Sequence, residues 1–481
     1  MKTNVNVFSI SNPLKRIFFF FAIFSINIIA QPKVFTIDTA IKTALGNNRD
    51  IKISEYNVMK AGAAVDEAFG YALPSLDFSA NFAHYLKKPK MPFPDFESLL
   101  KNATYSILFD ENVIPRDDNK FSPVLTKLQS FAQTNNYQAQ LQLTQTLFSS
   151  TVFRGIGASQ IYYDLSKAEL SNTISKTVLS VQTAFYGVLL SKDILEITKA
   201  SFDNAQKNLA NVKALYQQGL VAEFDMLQAE VQVENIRPTV LQMENMLVNA
   251  KNGLKIILGI EQTEEIDVLG SFDYQPELLP DEEALIQEAV NSNYGIKSLE
   301  LKRTVDQEFI QLDVSEYWPT LAAFGNYTYA GSSDEWKFQN YSAATVGLSF
   351  SINLWKGNRT KNKVEQSTIT YLQTEEQLRQ LKDLVALQVS DKYQELKRVQ
   401  QVVDAQNKNV KVAERAYDIS VIRYKEGDGN QLEIQNADIA LKQARINYIQ
   451  SIHSYLITKF ELDELLGKTN TEYFIKLKEY E

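Results

Sequence analysis

The sequence predicts a mainly α-helical, internally duplicated chain in which long coiled-coil helices are combined with four β-strands that contribute to a transmembrane β-barrel. Three observations carry that expectation: a repeat, rows of apolar residues spaced by seven, and four short stretches of alternating polarity.

The repeat comes first because it sets the organisation. Ile37-Asp38-Thr39-Ala40-Ile41, Ala44-Leu45, Asn48 and Ile51 reappear 245 residues later around Glu283-Ala284, Ile286, Ala289-Val290, Asn293 and Ile296. Pro74 falls on Pro319 at the same shift, and the shift then drops to 207, where Leu141 to Phe148 lies on Leu348 to Trp355. At 208 it carries Tyr216-Gln217-Gln218-Gly219 onto Tyr424-Lys425-Glu426-Gly427, and Leu258-Gly259 onto Leu466-Gly467. The drop from 245 to 207 leaves 38 extra residues in the first copy, in a stretch at about 86–136 rich in Pro, Asp, Asn and Lys, the composition of a surface loop. The second copy is expected to make that connection in about ten residues, Gly331 to Asn340. The expected units are a leader at 1–30, a first repeat at 31–270 and a second at 271–481.

Alternation marks the strands. Val346, Leu348, Phe350, Ile352 and Leu354 alternate with Thr345, Gly347, Ser349, Ser351 and Asn353. Ala139, Leu141, Leu143 and Leu147 do the same in the first copy, with Gln145 breaking the apolar side. Weaker alternation follows Pro74 (Leu76, Phe78, Ala80, Phe82) and Pro319 (Leu321, Ala323, Gly325, Tyr327, Tyr329). The polar partners are small and uncharged, as on the water-filled side of a membrane barrel, and Tyr85, Tyr137, Tyr329, Tyr341 and Trp355 suit its aromatic girdles.

The helices follow a period of seven, the mark of a left-handed coiled-coil seam. Ile174, Val181, Val188, Leu195, Phe202, Leu209 and Tyr216 form one row, and Val389, Leu396, Val403, Val410, Tyr417 and Tyr424 form its copy. Returning rows run through Met226, Val233, Val240, Leu247 and Leu254, and through Ile434, Leu441, Tyr448, Tyr455 and Leu462. No Pro occurs between Thr151 and Tyr216, so one helix of ~100 Å is expected there. Pro238 predicts a kink in the first returning helix. Gly219 and Gly427 are placed to end the descending helices in a left-handed cap.

Composition excludes much else. The net charge of -9 and the absence of a basic block argue against a nucleic-acid partner. Cys is absent, which removes disulfides and thiolate metal sites. His84 and His453 stand far apart, and Gly155-Ile156-Gly157 lacks the third glycine of a nucleotide loop, so no cofactor, metal or catalytic set is expected. Lys15-Arg16, the apolar run Ile17 to Ile29 and Ala30 read as a secretory signal cut after Ala30, and no later stretch is expected to approach the ~20 apolar residues of a spanning helix. Four strands cannot close a barrel, so several chains must share one; eight strands fill their interior with side chains, which favours three chains or more.

With these features in order, the chain resembles the TolC-like outer membrane efflux protein family. The carriers are Phe35 to Ile41, Ala44-Leu45 and Asn48; the helix–strand junctions at Pro74, Pro319 and Phe148; the return Leu354-Trp355-Lys356-Gly357-Asn358-Arg359; and the turns Tyr216 to Asp225 and Tyr424 to Gly427. The resemblance implies a homotrimer with a 12-stranded barrel in the outer-membrane lipid and an α-helical tunnel in the periplasm. It implies work with a periplasmic adaptor (a membrane fusion protein) and an inner-membrane transporter of RND, ABC or MFS type, in efflux or type I secretion. It also places a periplasmic gate at Asp225, Tyr424 and Glu433, with a Tyr424 hydroxyl able to donate to Asp225. Two positions depart from the family pattern: Asn436 replaces an acid and Gly429 a basic residue. A competing reading makes Asp225 and Glu433 first-turn acids favoured by the helix dipole. A periplasmic coiled-coil scaffold or adaptor is the alternative for the whole chain; it explains the heptads but not four strands at matched repeat positions.

Overall fold

The computed structural model describes residues 32–469 and 473–474, so the expected leader lies outside the described residues. The first copy opens with β1 (Lys33–Phe35), α1 (Ile37–Asn47) and α2 (Arg49–Gly70), then β2 (Ser75–His84). An excursion follows, holding β3 (Met91–Pro94), α3 (Phe96–Asp110) and β4 (Thr126–Gln129). The chain returns through β5 (Asn135–Ser149) into α4 (Ser150–Gln217) and α5 (Glu223–Leu258). After β6 (Ile266–Val268) the second copy runs α6 (Glu282–Ser292), α7 (Tyr294–Val314), β7 (Thr320–Ser333), β8 (Gln339–Ser351), α8 (Arg359–Lys425) and α9 (Gln431–Leu465).

The duplication is visible bond by bond. Asn48 caps α2: its Oδ1 accepts from the backbone N–H groups of Asp50 (2.9 Å) and Ile51 (3.1 Å), while its Nδ2 donates to the Ile257 carbonyl (2.9 Å). Asn293 repeats this on α7, accepting from Gly295 (2.9 Å) and Ile296 (3.1 Å) and donating to the Leu465 carbonyl (3.1 Å). One side chain thus satisfies two orphan N–H groups of one helix and an end carbonyl of another. Gly259 and Gly467 close those helices in the left-handed region, and each lies directly against the backbone carbonyl of Asn47 or Ser292.

Two apolar cores sit at matching positions. The first gathers Ile51, Leu170, Val181, Val188, Leu254 and Leu258; the second gathers Ile296, Leu378, Val389, Leu396, Leu462 and Leu466. Full burial of such a side chain stabilises by ~1.5–3 kcal/mol, so the rows of seven are the main hold of α4 on α5 and of α8 on α9; half-exposed ion pairs such as Lys199–Glu244 and Lys392–Glu461 also cross these seams. Phe202, Leu209, Val233 and Val240 extend the first seam toward the hairpin tip. α4 spans 68 residues and α8 67, each ~100 Å long. A window of α4 does prove apolar and long enough to cross a membrane, against expectation. α4 packs against α1, α2, α5, α7 and α9, and its buried apolar residues join those of α1, α2 and α5 in the first core, as in a core helix shared by both copies. α5 is not broken at Pro238.

The four long strands form one sheet in the order β2-β5-β7-β8, antiparallel throughout. Register puts like beside like. Phe78 opposes Leu141, which opposes Tyr327; Leu143 opposes Gly325, which opposes Val346; Ala323 opposes Leu348. On the other face Asn81 opposes Gln138, Ser79 opposes Gln140, and Gln142 opposes Asn326, which opposes Thr345. One face is therefore apolar and solvent-exposed in the single chain, while the other is lined mostly by amides and hydroxyls, with Asp77 and the Phe324 ring among them. Asp77 is the only Asp, Glu, Lys or Arg in the four strands. Gln145, the break in the apolar row, lies at the helical end of the sheet, where its Nε2 donates to the Ala72 carbonyl (2.8 Å). At the opposite end Phe82, Tyr137, Tyr329, Trp336 and Phe338 form an aromatic cluster on the apolar face. Gly331 leaves the room across which the Tyr137 ring lies.

Several expectations need correction. Among the described residues, four short strands accompany the four long ones: β1 pairs with β6 in parallel, and β3 with β4. The excursion is not a plain loop. Asn102 holds Ser122 by two hydrogen bonds (2.7 and 2.8 Å), Phe109 meets Phe121 edge-on, and Lys127 pairs with Asp95, so it folds on itself. Proline-rich flanks concealed a 15-residue helix. The β7–β8 connection is shorter than expected, at 334–338. β8 ends at Ser351, so Ile352, Leu354 and Trp355 lie in the turn to α8, where Gly357 and Asn358 both take positive φ. Pro74 and Pro319 immediately precede β2 and β7, and Phe148 follows a register shift in β5.

Candidate gate at the hairpin tips

Both long hairpins turn in the same way. Gly219 and Gly427 take φ of 72° and 81°, and their N–H groups donate to the carbonyls of Tyr216 (2.9 Å) and Tyr424 (3.2 Å). The next N–H reaches one residue further back, Leu220 to Leu215 and Asp428 to Arg423, both at 2.9 Å. These bonds satisfy carbonyls that a helix end leaves open.

The following helix starts differ, and the difference sorts the acids. α9 is capped by Asn430, whose Oδ1 accepts from the Glu433 N–H (2.9 Å). Glu433 itself accepts from Arg423 Nη1 (3.0 Å), while Arg423 Nη2 donates to the Asp428 carbonyl (2.9 Å). α5 is preceded by Ala222, which has no capping side chain, so Asp225 reaches back and accepts from the Ala222 N–H (3.3 Å). Both acids therefore stand in the first turn of their helices, as the competing reading has them; Asp225 caps through its carboxylate, whereas the Glu433 carboxylate is held by a cation.

Asp225 and Tyr424 line one cleft of about 1030 Å3 between the tips of the two hairpins, together with Lys207, Leu215, Asn430 and Gln431. Glu433 is not among its walls. The expected bond from Tyr424 to Asp225 is not formed: among the described residues the Tyr424 hydroxyl is buried without a hydrogen-bond partner, and so is Gln431 Oε1. Burial first, and the Asp225 carboxylate second, push the Tyr424 phenol above its usual pKa.

Behind the cleft the hairpins are joined. Ser201 Oγ donates to Asp438 Oδ2 (2.6 Å) across α4 and α9, and Gln435 Nε2 donates to Gln232 Oε1 (2.5 Å) across α9 and α5. Burial raises the Asp438 carboxyl, against the pull of Ser201, Asn204, Lys442 and Arg445. Arg423, Ser201 and Asp438 were missed in the sequence. A basic residue in the last turn of α8, ten residues before the first-turn acid of α9, was the available signal for Arg423. Nothing in sequence pairs Ser201 with Asp438, 237 positions apart.

An amphipathic four-stranded sheet carried on ~100 Å helical hairpins, with polar atoms converging at the hairpin tips, defines a class: the tunnel-and-barrel membrane proteins of the outer-membrane factor type. The chain belongs to the outer membrane efflux protein family, whose model matches residues 40–260 and 285–468. It is 23% identical over 352 residues to outer membrane protein TolC of Salmonella enteritidis, covering 72% of each chain. Among solved structures, the CmeC outer membrane channel of Campylobacter jejuni superposes with a TM-score of 0.70 at 14% identity, over 92% of this chain and 88% of that one. The CusC transmembrane channel gives 0.68 at 17% identity, over 90% and 92%. The chain is thus an outer-membrane efflux channel of tripartite pumps, with its helical hairpins in the periplasm.

Proposed function

We propose that three copies close one twelve-stranded barrel across the outer membrane and continue as a helical tunnel whose periplasmic mouth is gated at the hairpin tips. The observation that carries this is the sheet itself. Its apolar face needs lipid, its polar face needs water, and the outer edges of β2 and β8 have no strand beside them among the described residues. The helices agree. α5 exposes Phe224, Leu227, Val231, Leu241 and Val248 in seven-residue phase, and α8 exposes Val412, Ile419 and Ile422. In a ring of chains these seams face one another and complete the coiled coil.

A periplasmic adaptor and an inner-membrane transporter of RND, ABC or MFS type supply substrate and energy. Efflux of small molecules rather than type I secretion suits a barrel wall of neutral amides and hydroxyls with Asp77 as its one acid. At the gate, the two hairpins part most readily at the Asp225–Tyr424 cleft, where polar atoms lack partners, and resist parting at the Ser201–Asp438 bond. Glu433 acts through Arg423. Native mass spectrometry of the detergent-extracted protein is expected to give three chains. A monomer or dimer that still conducts in bilayers would overturn the shared barrel. Asp225→Ala and Glu433→Ala should raise single-channel conductance, and unchanged conductance and ion selectivity in both would remove the gate assignment.

A further inference from the structure

The excursion between β2 and β5, residues 85–134, leaves the sheet at the end opposite the helices, which on the reading above is the outside of the cell. Its stem is fixed. The Asp334 carboxylate, in the β7–β8 turn, binds Lys88 on one side and accepts from Thr134 N–H (2.9 Å) and Oγ1 (2.7 Å) on the other, and Phe82 stacks on Trp336. The excursion therefore projects in one orientation.

α3 has two faces. Ser98, Asn102, Tyr105 and Phe109 turn inward to Asp95, Ser122 and Phe121. Phe96, Leu100, Ala103 and Ile107, spaced as one helical stripe, turn to solvent, with Phe96, Leu100 and Ile107 about 60% exposed (59%, 61% and 62%). Beyond α3, Met91, Leu125 and Leu128 are exposed as well. An amphipathic helix outside the cell with its apolar stripe in water needs a cover.

Geometry selects the cover. Twelve strands ~4.8 Å apart and tilted ~40° make a ring ~24 Å across, so three equivalent excursions rise from points ~21 Å apart. A folded 50-residue body is ~25 Å across. Bodies wider than their spacing must touch. β2, from which the excursion rises, is also the edge strand that a neighbouring copy has to meet, so the excursion stands at the seam between chains. Its seven basic and six acidic residues are nearly balanced, unlike the cation-rich polar face of a helix that lies on lipid. We infer that the α3 stripe of each copy packs on the β3–β4 region of the next, and that the three excursions form a crown narrowing the outer mouth. The inference rests on the trimer reading.

The chain has no Cys and accepts single probes cleanly. With a photo-reactive benzoylphenylalanine replacing Leu100, irradiation of intact cells is expected to give adducts of two and three chains. Adducts with lipid or another protein only, or none, would overturn the crown. In a second arm, Asn81→Cys on the polar face should react with a bulky external maleimide severalfold faster when Leu100→Ser and Ile107→Ser are added. Equal rates would also overturn it. Native mass spectrometry separates the two failures: a wild type that is not trimeric removes the barrel reading and the crown with it, whereas a trimer lacking these adducts removes the crown alone.

Discussion

Alanine at Gly259 or Gly467 is expected to cost far more than alanine at Gly219 or Gly427, although all four glycines have positive φ. At every one of them a Cβ in the left-handed region costs ~1–2 kcal/mol, partly offset by ~0.4–1 kcal/mol from a stiffer unfolded chain. At Gly219 and Gly427 nothing lies within 4 Å of the new atom, so the net loss stays near ~1 kcal/mol and is confined to the tip. At Gly259 the Cβ would stand 2.3 Å from the Asn47 carbonyl oxygen, and at Gly467 2.6 Å from that of Ser292. Neither oxygen can swing aside, because each belongs to the link between two helices. Relief must move the link and stretch the bond from Asn48 to Ile257 or from Asn293 to Leu465. Leaving that buried amide half-satisfied adds ~1–3 kcal/mol, for a total of ~2–4 kcal/mol. Thermal melts followed by far-ultraviolet circular dichroism, at one scan rate in one detergent, compare the four variants. Equal shifts for the two pairs would refute the reasoning, since only the contact with the carbonyl distinguishes them.

Three further outcomes follow. Tyr424→Phe removes a buried hydroxyl without a partner, so the melting temperature should hold or rise slightly; a marked fall would reveal a partner from another chain. Asp334 is held down from 3.8 to about 2, chiefly by Lys88 and then Thr134, so its contribution to the excursion stem is complete above pH 3.8 and is lost as pH falls toward 2. Asp334→Asn should remove that dependence and admit protease to the 85–90 segment at neutral pH, and an unchanged digestion pattern would contradict the clamp. Asp438 behaves oppositely: burial raises its carboxyl, so the folded state takes up a proton before the unfolded one and the tip gains stability as pH falls through that raised value toward 3.8. Limited proteolysis of the tips at neutral and mildly acidic pH should show this gain in wild type and not in Asp438→Asn.

How much was legible varied with the range of the interaction. The rows of seven and the alternating strands are periodic, so Val181, Val389 and Leu143 could be assigned to seams and faces directly. Asn48, Asn293, Gly259 and Gly467 were visible because the repeat displays each twice. The excursion was not legible, because it occurs once. Its Asn102–Ser122 and Phe109–Phe121 contacts leave no period, and its prolines imitate a loop. At the gate, residue types were readable but partners were not. Nothing local says that Ser201 meets Asp438, or that the Tyr424 hydroxyl stays unpaired beside Asp225. Such outcomes depend on how two hairpins, far apart in sequence, meet at their tips.

Single-channel recording of the purified wild type beside Asp225→Ala in planar bilayers tests the central claim most directly. A membrane-spanning channel closed at its helical tips should give a small, mostly closed conductance in wild type and a clearly larger one in the variant. Absence of any conductance from both proteins, once reconstituted as stable oligomers, would contradict the account.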